Sequence, residues 1–183
     1  MPRALAVVLL LLAAANAVPA ELRVEARREG DAVLVEASAE LRAEPRLAWE
    51  VLTRYDRYAE FVPDLRTSRI VERNGSSAIV EQSGVAGMFF YRFPMEVTLA
   101  ITEEPFESVR CQSIAGNFRE LSGLYRLQPT PQGVKFLYSG RLVPNFRLPP
   151  LVGLPAVRGS VERQLRALVQ EIERRAAQEA EAR

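Results

Sequence analysis

Apolar residues recur along the chain with changing period, and each change marks a new element. Segments 22–28 and 32–41 flank the turn Glu29-Gly30-Asp31. In the second, Val33, Val35, Ala37, Ala39 and Leu41 fall on one face, while Glu36, Ser38, Glu40 and Arg42 mostly fall on the other. A period of two predicts a half-buried strand, hairpinned to the first. At Glu44-Pro45 the period changes. Pro45 suits a first helical turn, and Leu47, Ala48, Val51 and Leu52 follow at helical spacing with Trp49 beside them, so a short helix should run to about Arg54. Asp56 can cap a second short helix over 57–61, which Pro63 ends by disfavouring helical backbone at Val62.

From Leu65 to Leu142 no helical period is present. Six strand-like segments, 65–73, 78–85, 91–102, 108–115, 118–128 and 134–142, are separated by turn chemistry such as Asn74-Gly75, Gly84 to Gly87, Glu104-Pro105, Gly116-Asn117 and Pro129 to Gly133. Short connections of this kind predict an antiparallel meander. After a proline-rich stretch, Val157, Val161, Leu165, Leu168, Val169 and Ile172 return at three- and four-residue spacing, an amphipathic helix of about 24 Å by its rise per residue. It is expected to cover one face of the sheet, and its six apolar side chains should contribute about 1.5–3 kcal/mol each before entropy is subtracted. The tail 177–183 lacks a stripe beyond alanine and is expected to fray.

The first twenty residues follow another logic. Met1-Pro2-Arg3 supplies a positive charge, Ala4 to Ala15 is uninterruptedly apolar, and Ala15-Asn16-Ala17 and Val18-Pro19-Ala20 are small-x-small sites. This reads as a secretory signal peptide, too short for a membrane span, with cleavage near Ala17 or Ala20 and a soluble product in the periplasm or outside the cell. The domain proper should then occupy 21–176. Composition narrows its chemistry. With 24 Lys+Arg against 23 Asp+Glu, the chain lacks the cationic surplus that nucleic acid demands. It has no histidine and a single cysteine, Cys111, which excludes Ser-His-Asp and Cys-His machinery, His-bearing and multi-Cys zinc sites and an internal disulfide. No metal or cofactor is expected, and Cys111 reads as a small core residue. Glu103-Glu104 beside Pro105 read as solvated turn charges, and Lys135, the only lysine, faces away from Phe136 and Tyr138.

The element order, with Ala48-Trp49-Glu50-Val51-Leu52-Thr53-Arg54-Tyr55, then Tyr58-Ala59-Glu60-Phe61-Val62-Pro63 and Ser68-Arg69, resembles the START-like (SRPBCC, polyketide cyclase/dehydrase-like) superfamily. Within it the chain is similar to the coenzyme Q-binding COQ10 branch, and Gly116-Asn117-Phe118-Arg119 and Leu148-Pro149-Pro150 resemble its exported bacterial members. The resemblance implies an α+β helix-grip fold, about seven antiparallel strands curled around a long C-terminal helix with two short helices after the first main strand, enclosing an apolar cavity. The export signal departs from the quinone-chaperone members and leaves the ligand undefined.

On that fold the cavity wall would comprise Phe61, Met88, Phe90, Met95, Val97 and Leu99 from the first half of the chain, and Phe118, Tyr125, Phe136, Tyr138, Leu154, Val161 and Leu165 from the second. Tyr55, Tyr58, Tyr125 and Tyr138 could offer hydroxyls and Arg119 a charge, or they could be core edges and a surface ion pair. The apolar loops 84–91 and 143–155 are expected either to tuck into the core or to form a lip or a peripheral membrane contact. The expected function is non-catalytic binding, transport or shielding of a lipid, quinone or polyketide-like molecule in the cell envelope. A cyclase or dehydratase using the same cavity and an envelope protein-interaction module are the alternatives.

Overall fold

A computed structural model describes residues 20–88, 91–145 and 153–182. Strands β1 (Arg23–Glu29) and β2 (Ala32–Leu41) form the first hairpin, and helix α1 (Pro45–Leu52), a 3-10 turn (Tyr55–Arg57) and helix α2 (Tyr58–Phe61) come next. Asp56 lies inside the 3-10 turn and caps nothing, a correction to its expected role; Pro45 does occupy the first turn of α1. The meander is β3 (Leu65–Asn74), β4 (Ser77–Met88), β5 (Tyr91–Glu104), β6 (Ser108–Gly116), β7 (Phe118–Thr130) and β8 (Gly133–Pro144). All pairings are antiparallel and join eight strands in the order β1-β2-β8-β7-β6-β5-β4-β3. The segment from α1 to α2 therefore carries the chain from an inner strand to the far edge.

Helix α3 (Gly153–Glu181) packs against β4 near one edge and against β1 and β2 near the other, so the sheet must curve around it, the helix-grip arrangement. Inward positions of β2, β7 and β8 share one core cluster with Leu165, Leu168 and Ile172, and Val35, Leu127, Val134 and Phe136 are each at most 3% exposed. Cys111 is a free thiol in this core, as its strand position suggested, and burial pushes its pKa up to about 11.

Three boundaries differ from expectation. The 84–91 stretch is not a loop: β4 and β5 stay paired from Gly84↔Met95 to Met88↔Tyr91, and only Phe89 and Phe90 lie outside the described residues. Glycines there do not break the ladder; Gly84 is required because a Cβ would fall 2.0 Å from the Asp64 carbonyl oxygen. The 143–155 stretch is shortened from both ends, since β8 runs to Pro144 and α3 begins at Gly153, which leaves 146–152 outside the described residues. Finally, the tail expected to fray is helical to Glu181: alanine, glutamate and arginine are strong helix formers and need no buried stripe to extend a helix already docked upstream.

Candidate functional site

The concave face of the sheet changes character along β7 and β8. At one end Leu127, Val134 and Phe136 are sealed beneath α1, in one core cluster with Leu165, Leu168 and Ile172 of α3. At the other, Gly123, Tyr125 and Leu142 are buried, but the inward positions Leu121, Tyr138 and Gly140 are only partly so, as are Ser113 on β6, Met95 on β5 and Phe118 at the start of β7. A side chain that lines water-sized space keeps accessible surface, and one sealed by neighbours keeps none. By that criterion Phe136 (0%) and Leu165 (1%) are core rather than cavity wall, a correction to their expected place. Val97, Leu99 and Val161 retain 5–8%. Phe61 and Leu154 are partly buried against the core. Phe90 lies outside the described residues, and only the backbone of Met88 is described.

The partly open half has a thin floor. Gly123 and Gly140 face each other across β7 and β8. A Cβ on Gly140 would sit 2.2 Å from the Tyr138 hydroxyl oxygen, and one on Gly123 would meet Cys111 Sγ at 2.9 Å and the Tyr138 ring at 3.2 Å. Only glycine lets the phenol lie down on the sheet here. The ring of Tyr125 stands 4.8 Å from that of Tyr138, centroid to centroid. These strand-interior glycines were the available sequence signal, since a glycine in a strand often marks such a close approach.

The four tyrosines separate into two pairs. Tyr58 donates its hydroxyl to the Leu52 carbonyl (2.6 Å), and Tyr55 donates to Glu103 Oε1 (2.8 Å). Glu103 is also paired with Arg73 at 3.1 Å and is 9% exposed, so the expectation of a solvated charge fails for it; Glu104 beside it is exposed. Two hydroxyls are thus committed to holding the 3-10 turn and α2 in place. Among the described residues those of Tyr125 and Tyr138 have no hydrogen-bond partner. Every fully buried side-chain nitrogen and oxygen among the described residues does have one, so each of these two phenol oxygens keeps accessible surface. Burial raises both phenols well above the ordinary tyrosine range and holds them protonated at neutral pH.

Arg119 lies elsewhere. It is exposed and bonds Asp31 at 2.9 Å, a surface pair between the β1–β2 turn and β7, which removes it from the candidate site. Lys135 is likewise outward, 3.8 Å from Glu40. At the rim of the open half a residue that sequence reasoning missed joins three elements: Arg163 of α3 donates to Asp64 at 2.7 Å and to the Gly87 carbonyl at 2.6 Å, while Ser160 donates to Asp64 at 3.0 Å. Among the described residues no three His, Cys, Asp or Glu side chains converge as a metal site would need.

A sheet gripping one long helix, with a partly open concave end, defines the helix-grip fold. The chain belongs to the family described as polyketide cyclase/dehydrase and lipid transport, whose model matches residues 41–169. Among solved structures it is similar to a STAR-related lipid transfer protein from Xanthomonas axonopodis (TM-score 0.68, 15% identity, covering 82% of this chain and 93% of that one). The Zhui aromatase/cyclase from Streptomyces sp. R1128 is similar at TM-score 0.63 and 18% identity, covering 85% and 96%. A START superfamily protein from Mycobacterium smegmatis matches at TM-score 0.57 and 16% identity, covering 79% and 97%. A search of curated proteins finds no match. At these identities the structures establish the fold, and they include both lipid-transfer and cyclase proteins.

Proposed function

We propose that this protein binds a hydrophobic small molecule in the partly open half of its sheet and carries or shields it in the cell envelope. The observation that supports this most is the change along β7 and β8 from sealed Phe136 to partly open Tyr138, Leu121 and Phe118 on one concave face. Pockets for such ligands are mostly apolar with a few polar groups, and this face has that composition. Native mass spectrometry of protein purified without detergent tests the proposal. A retained mass of lipid or polyketide size is expected; no retained mass, together with no uptake of any apolar probe, would overturn it.

The envelope location and the quinone-binding branch belong to the same proposal. Residues 1–19 lie outside the described residues, and the reading rests on their sequence alone. Fractionation and N-terminal sequencing of the native protein should find a new terminus at Val18 or Glu21 in an extracytoplasmic fraction. Uncleaved chain in the cytosol would remove this part and leave the binding reading intact.

A cyclase-type enzyme is the second reading, favoured by the unpartnered Tyr125 and Tyr138 hydroxyls. Phenols held protonated can polarise a carbonyl by donating a hydrogen bond, but they are poor proton acceptors near neutral pH. That is why the carrier reading is preferred. Turnover of a polyketone that is abolished by Tyr138→Phe would reverse the preference.

A further inference from the structure

If the protein is a carrier, its ligand must enter by one end, and the register of the sheet bears both on which end that is and on its chemistry; the inference rests on the carrier reading. Tyr125 and Tyr138 are cross-strand partners, and the next inward pair along β7 and β8 in one direction is the sealed Leu127↔Phe136. In the other direction come Gly123↔Gly140 and Leu121↔Leu142, and then Phe118 at the start of β7. The phenols therefore stand next to the packed core, and along β7 and β8 the wall above them is glycine and hydrocarbon, joined by Ser113 of β6, whose hydroxyl oxygen accepts from the Leu121 N–H. A cavity with its hydrogen-bonding groups at the bottom and its apolar surface toward the mouth suits a molecule that inserts its polar end first.

Charge defines that end further. Glu103 reaches the same level through Val109 but is taken by Tyr55 and Arg73. Arg163, at the rim, is taken by Asp64 and the Gly87 carbonyl. Among the described residues the inward positions of β7 and β8 above the phenols carry no arginine or lysine. A carboxylate or phosphate drawn down to the phenols would lose its hydration without gaining a counterion, which is costly. A neutral carbonyl or hydroxyl loses little and gains a phenol donor.

We propose that the Tyr125–Tyr138 pair is the anchor of this cavity, and that its ligand is an uncharged amphiphile entering polar end first, with a carbonyl or hydroxyl oxygen hydrogen-bonded to the two phenols. Gly140 and Gly123, the next inward pair along β7 and β8, set the anchor's position by letting the Tyr138 ring lie against the sheet.

Laurdan, a neutral ketone with a lauroyl chain whose emission shifts to the red when its carbonyl accepts hydrogen bonds, is the test probe. An 11-(dansylamino)undecanoate of similar length is its anionic counterpart. Wild-type protein is expected to bind laurdan more tightly than the carboxylate. The double variant Tyr125→Phe/Tyr138→Phe, which keeps both ring shapes, should bind laurdan on the order of tenfold more weakly and with blue-shifted emission. Tyr55→Phe, whose hydroxyl is committed to Glu103, should leave the emission unchanged and so separates anchoring from folding effects. Unchanged affinity and colour in the double variant would overturn the anchor while the carrier reading survives. Equal or tighter binding of the carboxylate would overturn the neutral class alone. Binding of neither probe by the wild type would overturn this proposal and the carrier reading together.

Discussion

The two ends of the β7–β8 pair share a backbone and a pairing pattern but not a fate. Toward the β7–β8 turn, Leu127, Val134 and Phe136 join the core cluster of Leu165, Leu168 and Ile172 and lose essentially all their surface. Toward the other end, Leu121, Tyr138 and Gly140 remain partly open. The helix that covers both ends shows why. Its buried side chains are short near the N-terminus, at Ala156, Val157 and Val161, while from Leu165 on the longer Leu165, Leu168 and Ile172 join Ala167 and Val169. Shorter side chains fill less of the space over the sheet than leucine and isoleucine do. On the carrier reading, stability and capacity belong to opposite ends of one sheet, and substitutions should separate them.

The largest effect belongs to the sealed end. Phe136→Ala removes a fully buried ring and should cost about 3–5 kcal/mol, read as a lowered denaturation midpoint at unchanged slope. The matched change at the open end, Leu121→Ala, should cost roughly 1 kcal/mol, because that side chain has already kept part of its surface. Equal costs would mean the two ends are packed alike and that the contrast does not describe the protein in solution. Gly140→Ala comes next. Its new methyl would overlap the Tyr138 hydroxyl, so the ring must lift off the sheet into the open space, at about 1–3 kcal/mol for the crowding. Because a lifted ring occupies the cavity, apolar-probe uptake should fall even where the protein remains folded. A variant that is destabilised yet binds normally would detach the glycine floor from the site.

Arg163→Ala addresses the rim between the two regimes. It removes the bonds to Asp64 and to the Gly87 carbonyl, and with both ionic partners partly solvated the expected cost is only about 1 kcal/mol. The more telling readout is hydrogen exchange: protection should drop at the end of β4 and around Asp64 while β7 and β8 stay protected. A uniform loss across the domain would show that Arg163 supports the core rather than the rim.

Much of this division is present in the sequence, though not all in the same form. Period-two and period-3.6 patterns locate the alternating strands, α1 and α3, because solvent on one side and core on the other impose those periods directly, while the four-residue α2 is legible only through Pro63 and the remaining strands through their turns. Patterning also puts Tyr138 and Phe136 on one face of β8, yet it does not distinguish the sealed residue from the open one. That difference depends on what stands opposite each, and the partners Gly123 and Leu165 lie far away in sequence. The 84–91 stretch reads as a loop because glycine signals a break in isolation, whereas here Gly84 admits the Asp64 carbonyl to a continuous ladder. Glu103 reads as solvated for the same reason: its partners Tyr55 and Arg73 belong to other elements, and only the fold brings them within hydrogen-bond reach.

The smallest effect sharpens the sealed end by pH. Glu171, on the α3 turn between Leu168 and Ile172, accepts hydrogen bonds from Arg174 and from Arg175, and chiefly the Arg174 bond draws its pKa from the ordinary 4.5 to about 2. A carboxylate whose folded-state value is depressed stabilises the fold above its unfolded value. The contribution is therefore complete above about pH 4.5 and disappears as the pH falls toward 2. Arg174 is half exposed, so the gain is at most about 1 kcal/mol. Denaturation midpoints of wild type and Glu171→Gln should differ by that amount at pH 6 and converge near pH 2. If Glu171 serves only the packed end of α3, uptake of a neutral probe at the open end should be the same in both proteins at pH 6. A loss of uptake on removing this charge would show that the two ends are coupled through the helix rather than independent.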